Sequence, residues 1–177
     1  MSKFFNEYLS PLGIIKLESD GEYLTGLWFD NSKDSNKHMI NNEYNDLPIF
    51  DETKKWLDIY FSGTNPSFTP KYKVKTTEFQ KSVNEIMLKI PYGKTITYND
   101  IAKEIARKKG IKKMSAQAVG HAVGWNPICL IIPCHRVVGT NGNLVGYGGG
   151  IIHKYQLLQL EKLDMSQYYI PKKGNAL

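Results

Sequence analysis

The chain has 177 residues, 41% hydrophobic and 23% charged, with a net charge of +6; that is long enough to bury a real core and short enough for one domain or two small ones. No apolar run approaches the ~20 residues that span a bilayer, and the opening Met-Ser-Lys-Phe-Phe-Asn-Glu lacks the apolar core of a signal peptide, so no membrane association is expected and a soluble, cytoplasmic protein is. Only two cysteines, Cys129 and Cys134, are present, in one apolar stretch, which suits neither a disulfide framework nor a two-pair zinc site.

Residues 12–17 and 22–30 have the composition of two strands, joined by the turn Ser19-Asp20-Gly21. The Asn-rich stretch 31–46 suits a loop or a weak helix. From Pro48 to Phe61 the apolar positions Ile49, Phe50, Trp56, Leu57, Tyr60 and Phe61 share a helical face, and Gly63 follows as a stop. Residues 64–75 hold Pro66 and Pro70 with no periodicity, which predicts a linker. The charge changes sign here. Residues 1–70 carry 6 Lys against 11 Asp and Glu, a balance of −5, and residues 71–177 carry 17 Lys and Arg against 6, a balance of +11. Such a basic half has the footprint of a polyanion binder, although a solvated lysine surface would look the same.

The basic half alternates helical patterns with clear punctuation. Phe79, Val83, Ile86, Met87 and Ile90 keep helical spacing up to Pro91-Tyr92-Gly93. Thr97 and Asp100 form a capping pair before a helix whose inner face is Ile101, Ala102, Ile105 and Ala106. After the basic loop 107–113, Ser115 is an N-cap for a helix with Ala116, Val119, Gly120 and Val123 at i, i+3, i+4 and i+7, closed by Asn126-Pro127. The pair makes a helix-turn-helix candidate with a long connection. Its second helix is thin, which suits entry into a groove and tight core packing equally well. Residues 128–132 predict a buried strand leading to Pro133-Cys134-His135-Arg136. A turn at 139–143, a glycine-rich loop at 146–150 and a last amphipathic helix from about 151 to 163, carrying Ile152, Tyr155, Leu158 and Glu161, complete the chain before a polar tail.

A thiol beside a potential base and a cation is the setting that produces a thiolate. Adjacency alone is weak, because neighbours on a strand face opposite ways, and a buried structural cysteine would read the same. The company of the tetrad is more specific. The stretch Ile131-Ile132-Pro133-Cys134-His135-Arg136-Val137-Val138, with Ala118-Val119-Gly120, Asn126-Pro127, Gly146-Tyr147 and Gly149-Gly150 around it and Phe79-Gln80 and Ile90 to Tyr98 upstream, closely resembles the O6-alkylguanine-DNA alkyltransferase family. The likeness covers about 79–161 and extends weakly through Gly13 and Leu24 to Phe29.

The resemblance implies stoichiometric, irreversible transfer of an alkyl group from O6-alkylguanine, and O4-alkylthymine, in double-stranded DNA to Cys134, without a cofactor or metal. His135 would take the thiol proton through a water, and Glu161 would orient that histidine. Tyr98 would give a hydrogen bond or proton to the leaving base, the Gly148 amide would bond O6, the carbonyls of Cys134 and Val137 would receive the exocyclic amine, and Tyr147 would wall the pocket. Asn126 would brace the turn around the active segment. The base would be rotated out of the duplex by a helix-turn-helix in the minor groove. Lys94, Thr95, Lys113, Ser115, Ala116, Gln117, Ala118, Gly120 and Arg136 are the implied DNA neighbours, with Lys112 a further candidate near phosphate.

The chain departs from the family pattern in places. Gln117 stands where several relatives place an intercalating arginine, Asn84 where a tryptophan is common, and Gly148 where a side chain is frequent, which would widen the pocket. Residues 1–70 contain no cysteine and only His38, which argues against the structural zinc that some relatives hold there. The expected architecture is a small N-terminal α/β domain with an antiparallel, ribonuclease-H-like sheet at 1–66, a linker at 67–75, and a mainly helical, winged-helix-like helix-turn-helix domain at 76–177, acting as a monomer. A Cys-His hydrolase would use the same nucleophile and base but needs an oxyanion hole, and a non-catalytic DNA-binding or damage-sensing module would not need Cys134.

Overall fold

The computed structural model describes residues 2–39 and 43–172. The chain folds as two compact units, Met1–Lys75 with Pro127–Ile131, and Thr76–Asn126 with Ile132–Leu177.

The first unit is built on an antiparallel meander of β1 (Phe4–Ser10), β2 (Gly13–Ser19) and β3 (Leu24–Phe29). Its register pairs Ile15 with Phe29 and Leu17 with Leu27, and all four side chains are buried against helix α1 (Pro48–Phe61). Pro48 opens α1 at a position where its missing N–H costs nothing. Ile49, Phe50, Thr53, Trp56, Leu57 and Tyr60 form its inner face. β1 was not expected, because its pattern is inverted: Leu9 is 79% exposed while Asn6 is buried, its amide donating to the Asn45 carbonyl at 2.7 Å. Residues 33–37 form a short 3₁₀ turn, within the stretch expected as loop or weak helix; residues 40–42 of that stretch lie outside the described residues.

Two segments from elsewhere in the chain close the outer edge of β3. Leu24 N–H donates to Lys71 O and Lys73 N–H to Leu24 O, both at 2.9 Å, and Leu27 exchanges similar bonds with Pro127 and Cys129. Backbone groups at an uncovered sheet edge need partners, and these supply them. Residues 67–75 therefore belong to the first unit rather than standing apart as a linker, and so does the segment Pro127–Ile131. The expected strand at 128–132 reduces to a single bridge between Ile128 and Leu27. Leu130 has φ 70°, and tight turns close Ile131 N–H on Cys129 O and Cys134 N–H on Ile132 O, each at 2.8 Å. Such i→i+2 bonds are incompatible with continued extension.

The second unit groups α2 (Glu78–Met87), α3 (Tyr98–Lys109) and α4 (Ala116–Trp125), with α5 (Ile151–Leu160) near the end of the chain. Thr77 with Gln80 and Thr97 with Asp100 form complete capping boxes, and the Ser115 side chain caps α4 by accepting from Ala118 N–H at 3.2 Å. Each cap satisfies amides that the first turn leaves unpaired. Gly110, at φ 65°, ends α3 in the left-handed conformation. β4 (Ile96–Thr97) and β5 (Val137–Val138) form a two-stranded parallel sheet, which ties the start of α3 to the segment just after Cys134. No helix among the described residues is long and apolar enough to cross a membrane.

Candidate active site

Cys134, His135 and Arg136 form one turn of 3₁₀ helix rather than the end of a strand. Three residues per turn places their side chains about a third of a revolution apart, so Cys134 and His135 are not forced onto opposite faces. Asn126 holds the approach to this turn: its side-chain amide, buried, donates to Ile132 O at 2.8 Å.

His135 is buried, and its Nε2 lies 2.5 Å from Glu161 Oε2. Glu161 sits just past the end of α5, where the helix C-cap turns its carboxylate inward. Its other oxygen, Oε1, accepts from Arg136 Nε at 2.8 Å and from the Gly93 amide at 2.9 Å. Burial alone would raise this carboxyl, but the imidazole beside it, with Arg136 and the Gly93 amide, brings it down to about 2. Burial pushes His135 below its ordinary range against the opposing pull of Glu161. The result is a neutral imidazole, oriented by a carboxylate, that can take a proton.

Arg136 does not lie on a DNA-facing surface. Its guanidinium is buried, bonded to Glu161 and, through Nη1, to Ile90 O at 3.0 Å, and stacked over Tyr92. A buried carboxylate whose imidazole partner is neutral still demands a cation, and Arg136 supplies it.

Cys134 is 6% exposed. Tyr98 and Lys154 are both close enough for its charge to act on them. The Tyr98 hydroxyl lies 3.1 Å from Val145 O and 3.1 Å from Gly146 O; burial, and then Cys134, push its pKa up, so it stays a phenol with a proton to give. Having one proton, it must exchange a carbonyl for any other acceptor.

Lys154 escaped the sequence reading. It is completely buried, and its ammonium donates to Val137 O at 2.5 Å and Val145 O at 2.9 Å. Burial lowers its pKa to about 7, with Cys134 opposing. The signal was present: Lys154, Leu157, Leu158 and Glu161 keep i, i+3, i+4, i+7 spacing and are all buried, whereas Ile152, named with Leu158 and Glu161 in the amphipathic pattern, is 56% exposed.

Tyr147 is buried and Gly148 half-buried in the loop before α5. On α4, Val119, Ala122 and Val123 face inward, Gln117 is exposed, and Ala116, Ala118 and Gly120 are partly so; Lys94, Lys112, Lys113 and Ser115 are exposed. Thr95 is half-buried, its hydroxyl 2.8 Å from that of Tyr168. Asn84 is buried with its Oδ1 lacking a hydrogen-bond partner among the described residues; nothing in the structure explains it. No cluster of metal-ligating side chains occurs among the described residues.

The site and fold thus define a two-unit α+β protein in which a buried thiol, a carboxylate-oriented imidazole and a helix-turn-helix occupy one unit. Comparison with known proteins places it further. Residues 4–71 match the family description "6-O-methylguanine DNA methyltransferase, ribonuclease-like domain" and residues 78–163 match "6-O-methylguanine DNA methyltransferase, DNA binding domain". The chain is 40% identical over 164 residues to a methylated-DNA–protein-cysteine methyltransferase of Methanosarcina acetivorans, covering 89% of this chain and 97% of the relative. It is 37% identical over 161 residues to one from Mycobacterium leprae, covering 86% and 88%. A crystal structure of Mycobacterium tuberculosis OGT in complex with DNA superposes with a TM-score of 0.75 at 36% identity, covering 93% of this chain and 94% of that one. The chain belongs to the methylated-DNA–protein-cysteine methyltransferase family.

Proposed function

We propose that this protein repairs DNA by direct reversal, moving the alkyl group from O6 of an alkylated guanine, and from O4 of an alkylated thymine, onto its own Cys134, once per molecule. His135 takes the thiol proton, and Glu161 orients the imidazole and stabilises its charged form. The thiolate attacks the alkyl carbon in line, the S–C bond forms as the C–O6 bond breaks, and the electron pair goes to the base. The base leaves neutral by gaining a proton at nitrogen, for which Tyr98 is the donor. The resulting thioether has no group in the site able to cleave it, which makes the reaction stoichiometric, and none of these steps calls on a cofactor.

One observation carries this reading: a buried imidazole, held at 2.5 Å by a carboxylate, follows directly on the thiol within a single 3₁₀ turn. Val137 O and the Gly148 amide are the proposed partners of the base, with Tyr147 as a pocket wall. A carbonyl oxygen has two lone pairs, so the bond from Lys154 to Val137 O is compatible with that role. The exposed face of α4 from Ser115 to Gly120, with Lys94, Thr95 and Lys113, is the proposed DNA contact; phosphate neutralisation by the basic half would supply most of the affinity. A monomer in the cytoplasm, at the nucleoid or in the nucleus fits a protein that acts alone and once.

Incubation with a duplex containing O6-methylguanine, followed by weighing the intact protein, tests the proposal. One added methyl per chain, absent in Cys134→Ala, is expected. Continued product release would indicate a hydrolase, and an unchanged mass a binding module. Repair of O6-benzylguanine by Gly148→Ser tests pocket width: a slower rate than wild type is expected, and equal rates would remove that part of the reading.

A further inference from the structure

Beyond α5 the chain turns back on the loop that precedes that helix. Tyr169 N–H donates to Gly142 O at 2.9 Å, and Leu144 N–H donates to Tyr169 O at 3.0 Å. Tyr168 and Met165 cover a small apolar cluster of Val138, Leu144 and Leu158, and the Tyr168 hydroxyl reaches Thr95. Approach is closest at Gly142, where a Cβ would lie 1.8 Å from Gln167 O and where φ is +79°. Only glycine meets both conditions.

The gripped loop leads into the site. Gly139 N–H closes on Asn143 O at 2.7 Å, and two residues further on Val145 O and Gly146 O hold the Tyr98 hydroxyl, while Val145 O also holds Lys154. The stretch 139–150 contains six glycines, so its own conformational preference is weak and its order must be imposed from outside. The segment 164–170 supplies two backbone bonds and an apolar cover. It lies beyond the region matched to the family, which ends at residue 163.

We propose that residues 164–170 act as a strap that positions the loop 139–149 beside Cys134 and thereby sets which alkyl groups the site accepts. This rests on the alkyl-transfer reading above. With the strap seated, the wall is drawn in and the carbonyls that orient Tyr98 and Lys154 stay in place, which favours a small group in attack geometry. Released, the wall moves outward, so a methyl group is held less well while a bulky one gains room. α4, which carries the proposed contact from Ser115 to Gly120, packs on α2 and α3, so most of the duplex contact does not depend on the strap; Thr95, bonded to Tyr168, is the exception.

The test uses the full chain with Gly142→Ala, which unseats the strap without altering a side chain proposed to touch the base. Tyr169→Ala is the control, because it keeps the backbone bonds and trims a half-exposed ring. Single-turnover transfer is measured from O6-methylguanine and O6-benzylguanine in one duplex sequence, with affinity for the undamaged duplex measured alongside. For Gly142→Ala the methyl rate should fall about tenfold and the methyl-to-benzyl ratio by more than about threefold, with duplex affinity within about twofold of wild type. Tyr169→Ala should match wild type in all three. Equal slowing of both substrates, or no slowing, would overturn the strap. Should Gly142→Ala not fold, Tyr168→Ala is read on the methyl-to-benzyl ratio alone, because Tyr168 also holds Thr95, and an unchanged ratio overturns the proposal. Failure of the wild-type chain to transfer from either substrate would instead remove the alkyl-transfer reading.

Discussion

Nε2 of His135 lies 2.5 Å from Oε2 of Glu161, with both side chains fully buried, so the carboxylate is not screened by water and holds the imidazole directly. A carboxylate in that position costs several kcal/mol to bury unless it is paired; here it has an imidazole, a guanidinium and a backbone amide.

Glu161→Gln should slow alkyl transfer by about 10²-fold or more, the usual scale for disabling a proton acceptor, while duplex affinity stays unchanged. It should also alter acid unfolding. The folded carboxyl is held at about 2 against about 4.3 when unfolded, so its stabilisation is complete above the unfolded value and is lost as pH falls toward 2. Urea midpoints at pH 6 and pH 3 should therefore differ less in the variant than in wild type.

Arg136→Ala should destabilise the protein by about 3–5 kcal/mol, because it removes the cation that balances a buried carboxylate, and leave the affinity of the folded protein for undamaged duplex unchanged. Denaturant unfolding and a binding isotherm separate the two effects. A loss of duplex affinity without a loss of stability would return Arg136 to the DNA surface.

Lys154→Met should flatten the rise of stability with pH. The folded ammonium is lowered to about 7 from about 10.4 in the unfolded chain. Between those values the unfolded chain binds the extra proton, so wild-type stability increases with pH there and the penalty is complete below about 7. Unfolding midpoints at pH 7 and pH 9.5 check this. Parallel midpoints in wild type and variant would contradict a depressed Lys154.

Gly120→Ala probes the thin face of α4. A Cβ there would meet only Tyr98 Cδ1 at 4.0 Å, an ordinary contact, so nothing inside the protein requires glycine. Mid-helix glycine costs up to about 1 kcal/mol relative to alanine. The variant should be as stable as wild type or more so, yet bind duplex DNA severalfold more weakly, because the added methyl blocks close approach of the groove. Thermal melting and a binding isotherm read the two arms.

Much of this was legible in the sequence where local chemistry decides the outcome. α1 spans the expected 48–61, since proline opens it and Gly63 follows its end, and the Thr97–Asp100 and Ser115 caps mark the starts of α3 and α4. The partners of the thiol were legible only through the resemblance, because Glu161 and Tyr98 are distant in sequence. What was missed depends on tertiary context. β1 hides behind an exposed Leu9 and a buried Asn6, which reverses the usual hydropathy signal. Arg136 and Lys154 were read as surface cations or passed over, since burial of a charge is set by partners that no local pattern shows. The course of 127–131 into the first unit depends on an open sheet edge elsewhere in the chain.

The most direct test of the central claim is a titration of the protein with duplex carrying O6-[methyl-labelled] guanine, followed by peptide mapping. The account predicts that label saturates at one methyl per chain and is confined to the peptide holding Cys134, as a thioether. Label on Cys129, label elsewhere in the chain, or release of methyl product beyond one per chain would contradict it.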